Sequence, residues 1–303
     1  MNLVALDWGT SSLRGALLAA DGTVVEERRF ARGLLTVEQG GFASVFESLF
    51  GDWMPPGTLC LVAGMAGSQQ GWLEAPYCPC PAGFADMAAQ LVWVEKDRIA
   101  IVPGLSIEKR GTPDVMRGEE TQVFGALQLL GLSDARLVLP GTHSKWVTAT
   151  DYKVTDFSTW MTGEFYALLR QHSILARTLP VLAPGTNPAD ETALLESSAF
   201  KQGVAQALRG SGLLHTAFST RTLSLFKCMP EQALPSYLSG LVIGEELRCQ
   251  TLAAGQTVIV VGAQALAVRY ELALQQMGVQ VQRADSNATW IGLHAMAQRL
   301  KYC

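Results

Sequence analysis

The chain has 303 residues, 49% of them apolar, and a formal net charge of −4. That length and apolar content suit two domains, each with its own core. The mildly acidic balance excludes a general binder of nucleic-acid backbones, which is usually basic. No run of about 18 apolar residues offers a membrane span. The N-terminus enters a strand without a basic leader, so the expectation is a cytoplasmic protein with no nucleic-acid or membrane partner. Of the six cysteines, Cys60, Cys78, Cys80, Cys228, Cys249 and Cys303, only Cys78 and Cys80 are neighbours. A lone C-x-C lacks the second pair of a zinc site, so free thiols are expected.

Residues 3–7 read as a buried strand running into Asp7-Trp8-Gly9-Thr10-Ser11. Residues 12–20 and 24–29, joined by Asp21-Gly22, complete an antiparallel meander, since Asp-Gly between apolar runs signals a hairpin. Helical spacing covers 42–53, and a short strand at 59–63 leads into the loop Gly64-Met65-Ala66-Gly67-Ser68. A strand at 99–102 closes on Pro103-Gly104. Met116-Arg117-Gly118-Glu119-Glu120 opens a helix at 121–130 that Gly131 stops.

The second half repeats the scheme. A strand at 137–140 runs into Gly141-Thr142-His143-Ser144-Lys145, and strands at 146–150 and 154–159 follow. Helices are expected at 163–172, 190–206, 213–225 and 236–249. A strand at 258–261 turns through Gly262-Ala263 into a helix at 265–276; an edge strand at 279–282 and a closing helix at 287–300 end the chain.

The paired Gly-Thr turns, one in each half, carry the chemistry. Such turns present backbone N–H groups and short hydroxyls, the donors that phosphate oxygens need. Asp7, at the end of the first strand, is placed to hold Mg²⁺ through water. A Gly-Thr turn also occurs in plain hairpins, so the pair weighs more than either member. No G-x-x-x-x-G-K-[ST] is present, and no G-x-G-x-x-G follows the first strand, which disfavours P-loop kinases and dinucleotide enzymes.

The arrangement resembles the sugar kinase, Hsp70 and actin superfamily. The resemblance implies two duplicated ribonuclease H-like α/β domains, each a mixed five-stranded sheet flanked by helices, closing over an interdomain cleft that holds ATP. Residues 1–133 form the first domain, with 287–303 packing back on it, and 134–286 form the second. Gly9, Thr10 and Ser11 then belong to the first phosphate loop, and Gly141, Thr142, His143, Ser144 and Lys145 to the second. Gly262 and Ala263 match the adenosine turn, where many relatives carry further glycines. Within the superfamily the chain is similar to the 2-dehydro-3-deoxygalactonokinases. The strings that carry this are Met116-Arg117-Gly118-Glu119-Glu120-Thr121-Gln122, Leu139-Pro140-Gly141-Thr142-His143-Ser144-Lys145-Trp146, and Met161-Thr162-Gly163-Glu164 followed by His172-Ser173-Ile174-Leu175. The implied reaction is ATP-dependent phosphorylation of the terminal hydroxyl of 2-dehydro-3-deoxy-D-galactonate, giving the 6-phosphate and ADP in galactonate breakdown. The alternatives are a kinase of another sugar or sugar acid, or a nucleotide-gated binding protein without catalysis. A homodimer is left open.

A sugar hydroxyl needs a carboxylate to take its proton. In the sugar kinases that the chain resembles the base opens the helix one element before the second phosphate loop, so the resemblance implies Glu119 as the base, with Glu120 next. Against this, acidic residues at a helix start also cap it. Arg117 can bind the substrate carboxylate in a bidentate pair or form a structural salt bridge. Arg14 can contact phosphate or substrate, or brace the hairpin. Lys145 can neutralise phosphate or stand solvated, and His143 can donate to a phosphate oxygen. Gly67, Ser68 and Gln69 can meet substrate hydroxyls or form an ordinary turn. His172, His215 and His294 are expected to be surface or core residues, and Trp72, Trp146 and Trp160 packing residues.

Overall fold

The computed structural model describes residues 2–181, 196–285 and 287–300. It opens on the meander β1 (Leu3–Trp8), β2 (Leu13–Leu18) and β3 (Val24–Phe30). Thr23 N–H donates to Asp21 Oδ1 at 2.9 Å and Gly22 takes φ +88°, which is how Asp-Gly closes the hairpin. Then come α1 (Phe42–Phe50), β4 (Leu59–Gly64), β5 (Tyr77–Pro79), α2 (Phe84–Ala88), β6 (Val92–Glu95), β7 (Ile99–Ile101), β8 (Gly104–Lys109), β9 (Thr112–Met116) and α3 (Glu119–Leu130). The second half runs β10 (Ala135–Leu139), β11 (Ser144–Thr150), β12 (Lys153–Trp160), α4 (Thr162–His172), α5 (Ser197–Leu208), α6 (Leu213–Thr216), α7 (Ser219–Leu225), α8 (Leu234–Arg248), β13 (Thr257–Val261), α9 (Gln264–Gln276), β14 (Gln280–Ala284) and α10 (Ala288–Leu300).

The first sheet has the order β3-β2-β1-β4-β7-β6 and the second β12-β11-β10-β13-β14. Each is a meander whose first strand pairs in parallel with a fourth, followed by a fifth, so the same wiring appears twice. The first sheet adds a sixth strand, β6, antiparallel to β7, where five were expected. Central strands are buried along nearly their whole length, as strands covered on both faces must be.

The chain divides into two compact units, residues 1–135 with 147–158 and 286–303, and residues 136–146 with 159–285. Residues 147–158 thus count with the first unit, where a cut after 133 assigns them to the second. The outer part of the β11–β12 hairpin explains this: Val154 and Ala82 exchange backbone hydrogen bonds at 2.9 and 3.1 Å, and Lys109 pairs with Asp156.

Each unit has one helix crossing so close that only glycine fits. In the first, a Cβ on Gly125 of α3 would lie 1.7 Å from the Ala288 oxygen, and one on Gly292 of α10 would lie 2.0 Å from the Thr121 oxygen. In the second, Gly203 of α5 and Gly240 of α8 are locked in the same way against Tyr237 and Phe200.

Three features depart from the sequence reading. A small sheet, β5-β8-β9, was not anticipated. The helix expected over 213–225 is two, α6 and α7. Of the helix expected over 190–206, residues 190–195 lie outside the described residues, and α5 begins at Ser197.

Candidate active site

β1 delivers Asp7 to the edge of a tight turn in the first unit. Gly9 N–H donates to Ser12 O at 2.9 Å, and Leu34 and Leu35 N–H donate to Gly9 O and Thr10 O at 3.0 and 3.1 Å. A Cβ on Gly33 would lie 2.3 Å from the Ser11 carbonyl carbon. The 33–36 segment therefore presses on the turn backbone to backbone, leaving the Thr10 and Ser11 side chains exposed but on a braced chain.

Asp7 and Arg14 are cross-strand partners, and Arg14 Nη2 meets Asp7 Oδ2 at 2.8 Å. The same guanidinium donates to Thr289 Oγ1 at 2.8 Å and lies 5.0 Å over the Trp290 ring. Of the roles left open for Arg14, the geometry shows the brace: it ties β1 and β2 to α10.

Two glycines bring the next pieces to Asp7. Gly64 ends β4 at φ +88°, and a side chain there would crowd Trp8 O at 2.8 Å and Asp7 Oδ1 at 3.2 Å. Gly118 caps α3 at φ +104°, and its Cβ would lie 3.2 Å from Gly64 Cα. Positive φ and close approach together demand glycine at both. The start of α3 is thereby drawn to the end of β1.

At that helix start Glu119 Oε2 accepts from Arg117 N–H at 3.1 Å, and Glu120 Oε2 accepts from Gly118 N–H at 2.6 Å. Both carboxylates therefore serve as caps, as the helix field favours. They differ in reach. Glu119 is half-exposed, whereas Glu120 is wholly buried, with no partner for Oε1 among the described residues. Burial first, and the Glu119 charge second, push the Glu120 carboxyl up to about 8.

Arg117 spends one arm on structure, donating from Nη2 to Ala75 O at 2.7 Å, and its guanidinium lies 4.2 Å over the Tyr77 ring. Its Nε and Nη1 are buried with no partner among the described residues, and so is Ser68 Oγ. A Cβ on Gly67 would lie 2.7 Å from Arg117 Nη1, so the 64–68 turn lies directly on this guanidinium. Three buried hydrogen-bonding atoms without partners on adjoining segments mark a place that a polar ligand would satisfy.

The second unit carries the other turn. A Cβ on Gly163 would lie 2.5 Å from Gly141 O, Glu164 N–H donates to Thr142 O at 3.0 Å, and His143 Nε2 meets Glu164 Oε2 at 2.6 Å. Thr142 and His143 stay exposed. Ser144 and Lys145 do not: the Ser144 hydroxyl is fully buried and donates to Glu246 Oε2 at 2.7 Å, and Lys145 Nζ donates to Thr159 Oγ1 at 2.8 Å. The side chains of Ser144 and Lys145, expected to face phosphate or solvent, are thus turned into the unit, while Thr142 and His143 stay at its surface. Trp146 packs as expected, and its Nε1 also donates to Glu246 Oε1 at 2.7 Å.

A cavity of about 480 Å³ opens beside this turn, lined by Gly141 and Thr142, by Gly163 and Ala167 of α4, by Val242 and Ile243 of α8, and by Leu266 and Tyr270 of α9. Gly262, at φ +143°, lets β13 swing into α9, and Ala263 is the residue before the helix; neither lines the cavity. Their place is to aim α9, whose side chains do the lining. Glu246, at the bottom of this region, accepts from Ser144, Trp146, Thr162 and Tyr270. Burial raises its carboxyl while those four donors oppose the rise. Sequence reasoning passed it over. The signal was a Glu within Leu241-Val242-Ile243-Gly244-Glu245-Glu246-Leu247, an almost wholly apolar helix stretch in which one acid had to be buried.

The same meander wiring, with a braced glycine turn after the first strand, appears in both sheets, and the chain is a carbohydrate kinase. It belongs to the 2-keto-3-deoxy-galactonokinase family, whose model matches residues 7–296. It is 36% identical over 303 aligned residues to a protein of Rhizobium meliloti named as a probable 2-dehydro-3-deoxygalactonokinase, with 98% of this chain and 96% of the relative covered. It is 35% identical to the 2-dehydro-3-deoxygalactonokinase of Escherichia coli, with 97% of both covered. A crystal structure from Sinorhizobium meliloti, provisionally named for the same activity, superposes with a TM-score of 0.86 at 34% identity, covering 98% of this chain and 99% of that one. The ADPNP-bound activator of the 2-hydroxyisocaproyl-CoA dehydratase of Clostridium difficile shares the fold at a TM-score of 0.53 and 11% identity, covering 100% of this chain and 97% of that one.

Proposed function

We propose that this kinase transfers the terminal phosphoryl group of ATP to the terminal hydroxyl of 2-dehydro-3-deoxy-D-galactonate, giving the 6-phosphate and ADP, in the cytoplasm. The observation that carries the reading is the assembly in the first unit: Gly64 and Gly118 draw Asp7, Glu119 and the unsatisfied face of Arg117 to one end of β1. An acceptor carboxylate, an anion-binding arginine and a phosphate turn are what a sugar-acid kinase requires.

On this reading Glu119 takes the hydroxyl proton. It is the reachable carboxylate of the pair, and its bond to Arg117 N–H orients it. Arg117 Nε and Nη1, with Ser68 Oγ, receive the C1 carboxylate, a charged group that neutral sugars lack. The turns at 9–11 in the first unit and at 141–144 in the second each offer N–H donors to phosphate, with His143 donating beside Thr142, and the cavity of the second unit takes the nucleoside. Arg14 acts through Asp7 and does not touch substrate.

The residues fit a hydrated Mg²⁺ arriving with ATP. Asp7 is a single carboxylate whose Oδ2 is held by Arg14 and whose Oδ1 borders Gly64. A lone carboxylate of this kind suits an ion that keeps most of its water. Bound there, Mg²⁺ would neutralise charge on the phosphates.

The test is ADP release from Mg-ATP with a panel of sugar acids and neutral hexoses. Turnover on 2-dehydro-3-deoxy-galactonate well above the rest is expected. Turnover confined to neutral hexoses would overturn the acid assignment, and none on any member would point to a binding protein.

A further inference from the structure

Glu246 is a buried carboxylate on which both the second glycine turn and residues of the adjoining cavity lean. Its Oε1 accepts from Trp146 Nε1 at 2.7 Å, and its Oε2 accepts from Ser144 Oγ and the Tyr270 hydroxyl at 2.7 Å each and from Thr162 Oγ1. An indole N–H can only donate, which fixes Oε1 as an acceptor. The other oxygen faces three hydroxyls with one proton apiece. Should the carboxyl itself carry a proton, Ser144 Oγ can take it, because Ser144 has a second acceptor in Trp160 O at 3.5 Å. Thr162 donates to Glu246, and the Tyr270 hydroxyl, which also lies 3.1 Å from Ser144 Oγ, spends its one proton on Glu246 or on Ser144.

A hydroxyl that has given up its only proton can still accept. Thr162 and Tyr270 both line the cavity, beside Gly141 and among Val242, Ile243 and Leu266. Any hydrogen bond that either makes to an occupant must therefore come from a donor on that occupant. We infer that Glu246 is a positioning residue that turns the Thr162 and Tyr270 hydroxyls into acceptors, so that the cavity selects a nucleoside by its hydrogen-bond donors: the exocyclic amine of the base or a ribose hydroxyl. This rests on the reading above that the cavity holds the nucleoside.

Glu246→Gln tests it at constant shape. The Gln oxygen must turn to Trp146, which sets an NH₂ against the three hydroxyls. Hydroxyls that accept from that NH₂ swing their protons outward, and the acceptor face is lost. Steady-state kinetics with ATP, ITP and 2′-deoxy-ATP read the change. The wild type is expected to prefer ATP by about tenfold or more over whichever analogue lacks the recognised donor, and Glu246→Gln to bring that ratio close to unity with KM for the sugar acid unchanged. Collapse of the ATP/ITP ratio assigns the base amine, and collapse of the ATP/2′-deoxy-ATP ratio assigns the ribose. If KM rises equally for all three nucleotides, Glu246 is merely structural and the inference fails; a wild type that discriminates against neither analogue also sinks it. Should Glu246→Gln not fold, Tyr270→Phe removes one acceptor from the cavity and must lower the same ratio. Ala167→Trp separates the two levels by filling the cavity from α4. If ATP still binds that variant normally, the nucleoside lies elsewhere and both readings fall. If ATP binding is lost there while Glu246→Gln keeps its ratios, only the inference falls.

Discussion

Arg117→Met should cripple the reaction while leaving the ligand-free protein about as stable as before. Among the described residues the ligand-free guanidinium donates to Ala75 O and stacks on Tyr77, but buries Nε and Nη1 without partners. Each buried unsatisfied donor costs about 1–3 kcal/mol. Removing two of them offsets the loss of one backbone bond and one cation–π contact, worth about 1–3 and 0.5–2 kcal/mol. The net change is expected within about 2 kcal/mol of zero, or a few degrees of Tm at this chain length. With substrate the sum reverses. A carboxylate satisfying both donors makes charge-assisted bonds worth about 1.5–3 kcal/mol each. Losing them should lower kcat/KM for the sugar acid by about 100-fold or more. The assay is thermal unfolding with and without sugar acid, beside steady-state kinetics. Wild type should gain Tm with the acid and Arg117→Met should not. A variant that unfolds many degrees lower without ligand, or one that keeps kcat/KM, would show that the open face of Arg117 is not a ligand site.

Glu119→Gln should lower kcat by about 10²–10⁴-fold with little change in circular dichroism, because the amide oxygen can still accept from Arg117 N–H; near-normal turnover would move the base to Glu120. Glu120 gives a pH signature. Its carboxyl rises from 4.5 to about 8 on folding, so between those values the folded state holds a proton the unfolded state has released. Stability must fall as pH rises through that window, by as much as a few kcal/mol. Urea denaturation at pH 5, 6.5 and 8 should show the slope in wild type and lose most of it in Glu120→Gln; an unchanged slope would mean that another group carries it. Gly33→Ala would drive a methyl into the Ser11 backbone, so the first glycine turn should shift by the better part of an ångström, with some loss of Tm, and kcat/KM for ATP drop by about 100-fold. Normal ATP kinetics in that variant would argue that the turn does not touch phosphate.

The parts legible in the sequence were those set by local signals. Asp21-Gly22 marked the first hairpin, and the apolar runs at 3–7, 137–140 and 258–261 marked buried strands, so both meanders could be drawn. The β5-β8-β9 sheet could not: β5 is three residues with a proline, and β9 carries Pro113, which has no N–H to give a ladder and so argues against a strand except at an edge, where β9 lies. The 213–225 helix looked continuous because its periodicity runs across Ala217 and Phe218, where the chain in fact breaks. The site was legible as a set of residue types but not as directions. Ser144, Lys145 and Arg14 had suitable chemistry, and only three-dimensional packing could show them turned towards Glu246, Thr159 and α10. Choosing between Glu119 and Glu120 likewise needed burial, since adjacent acids at a helix start look alike in a string of letters.

The glycine crossing of α3 and α10 ties two distant parts of the site to one helix. α10 buttresses α3 two residues past Glu119, and through Thr289 and Arg14 it also steadies Asp7. A change that lifts α10 from this crossing would therefore unseat both carboxylates at once, while every strand of the first sheet stayed paired.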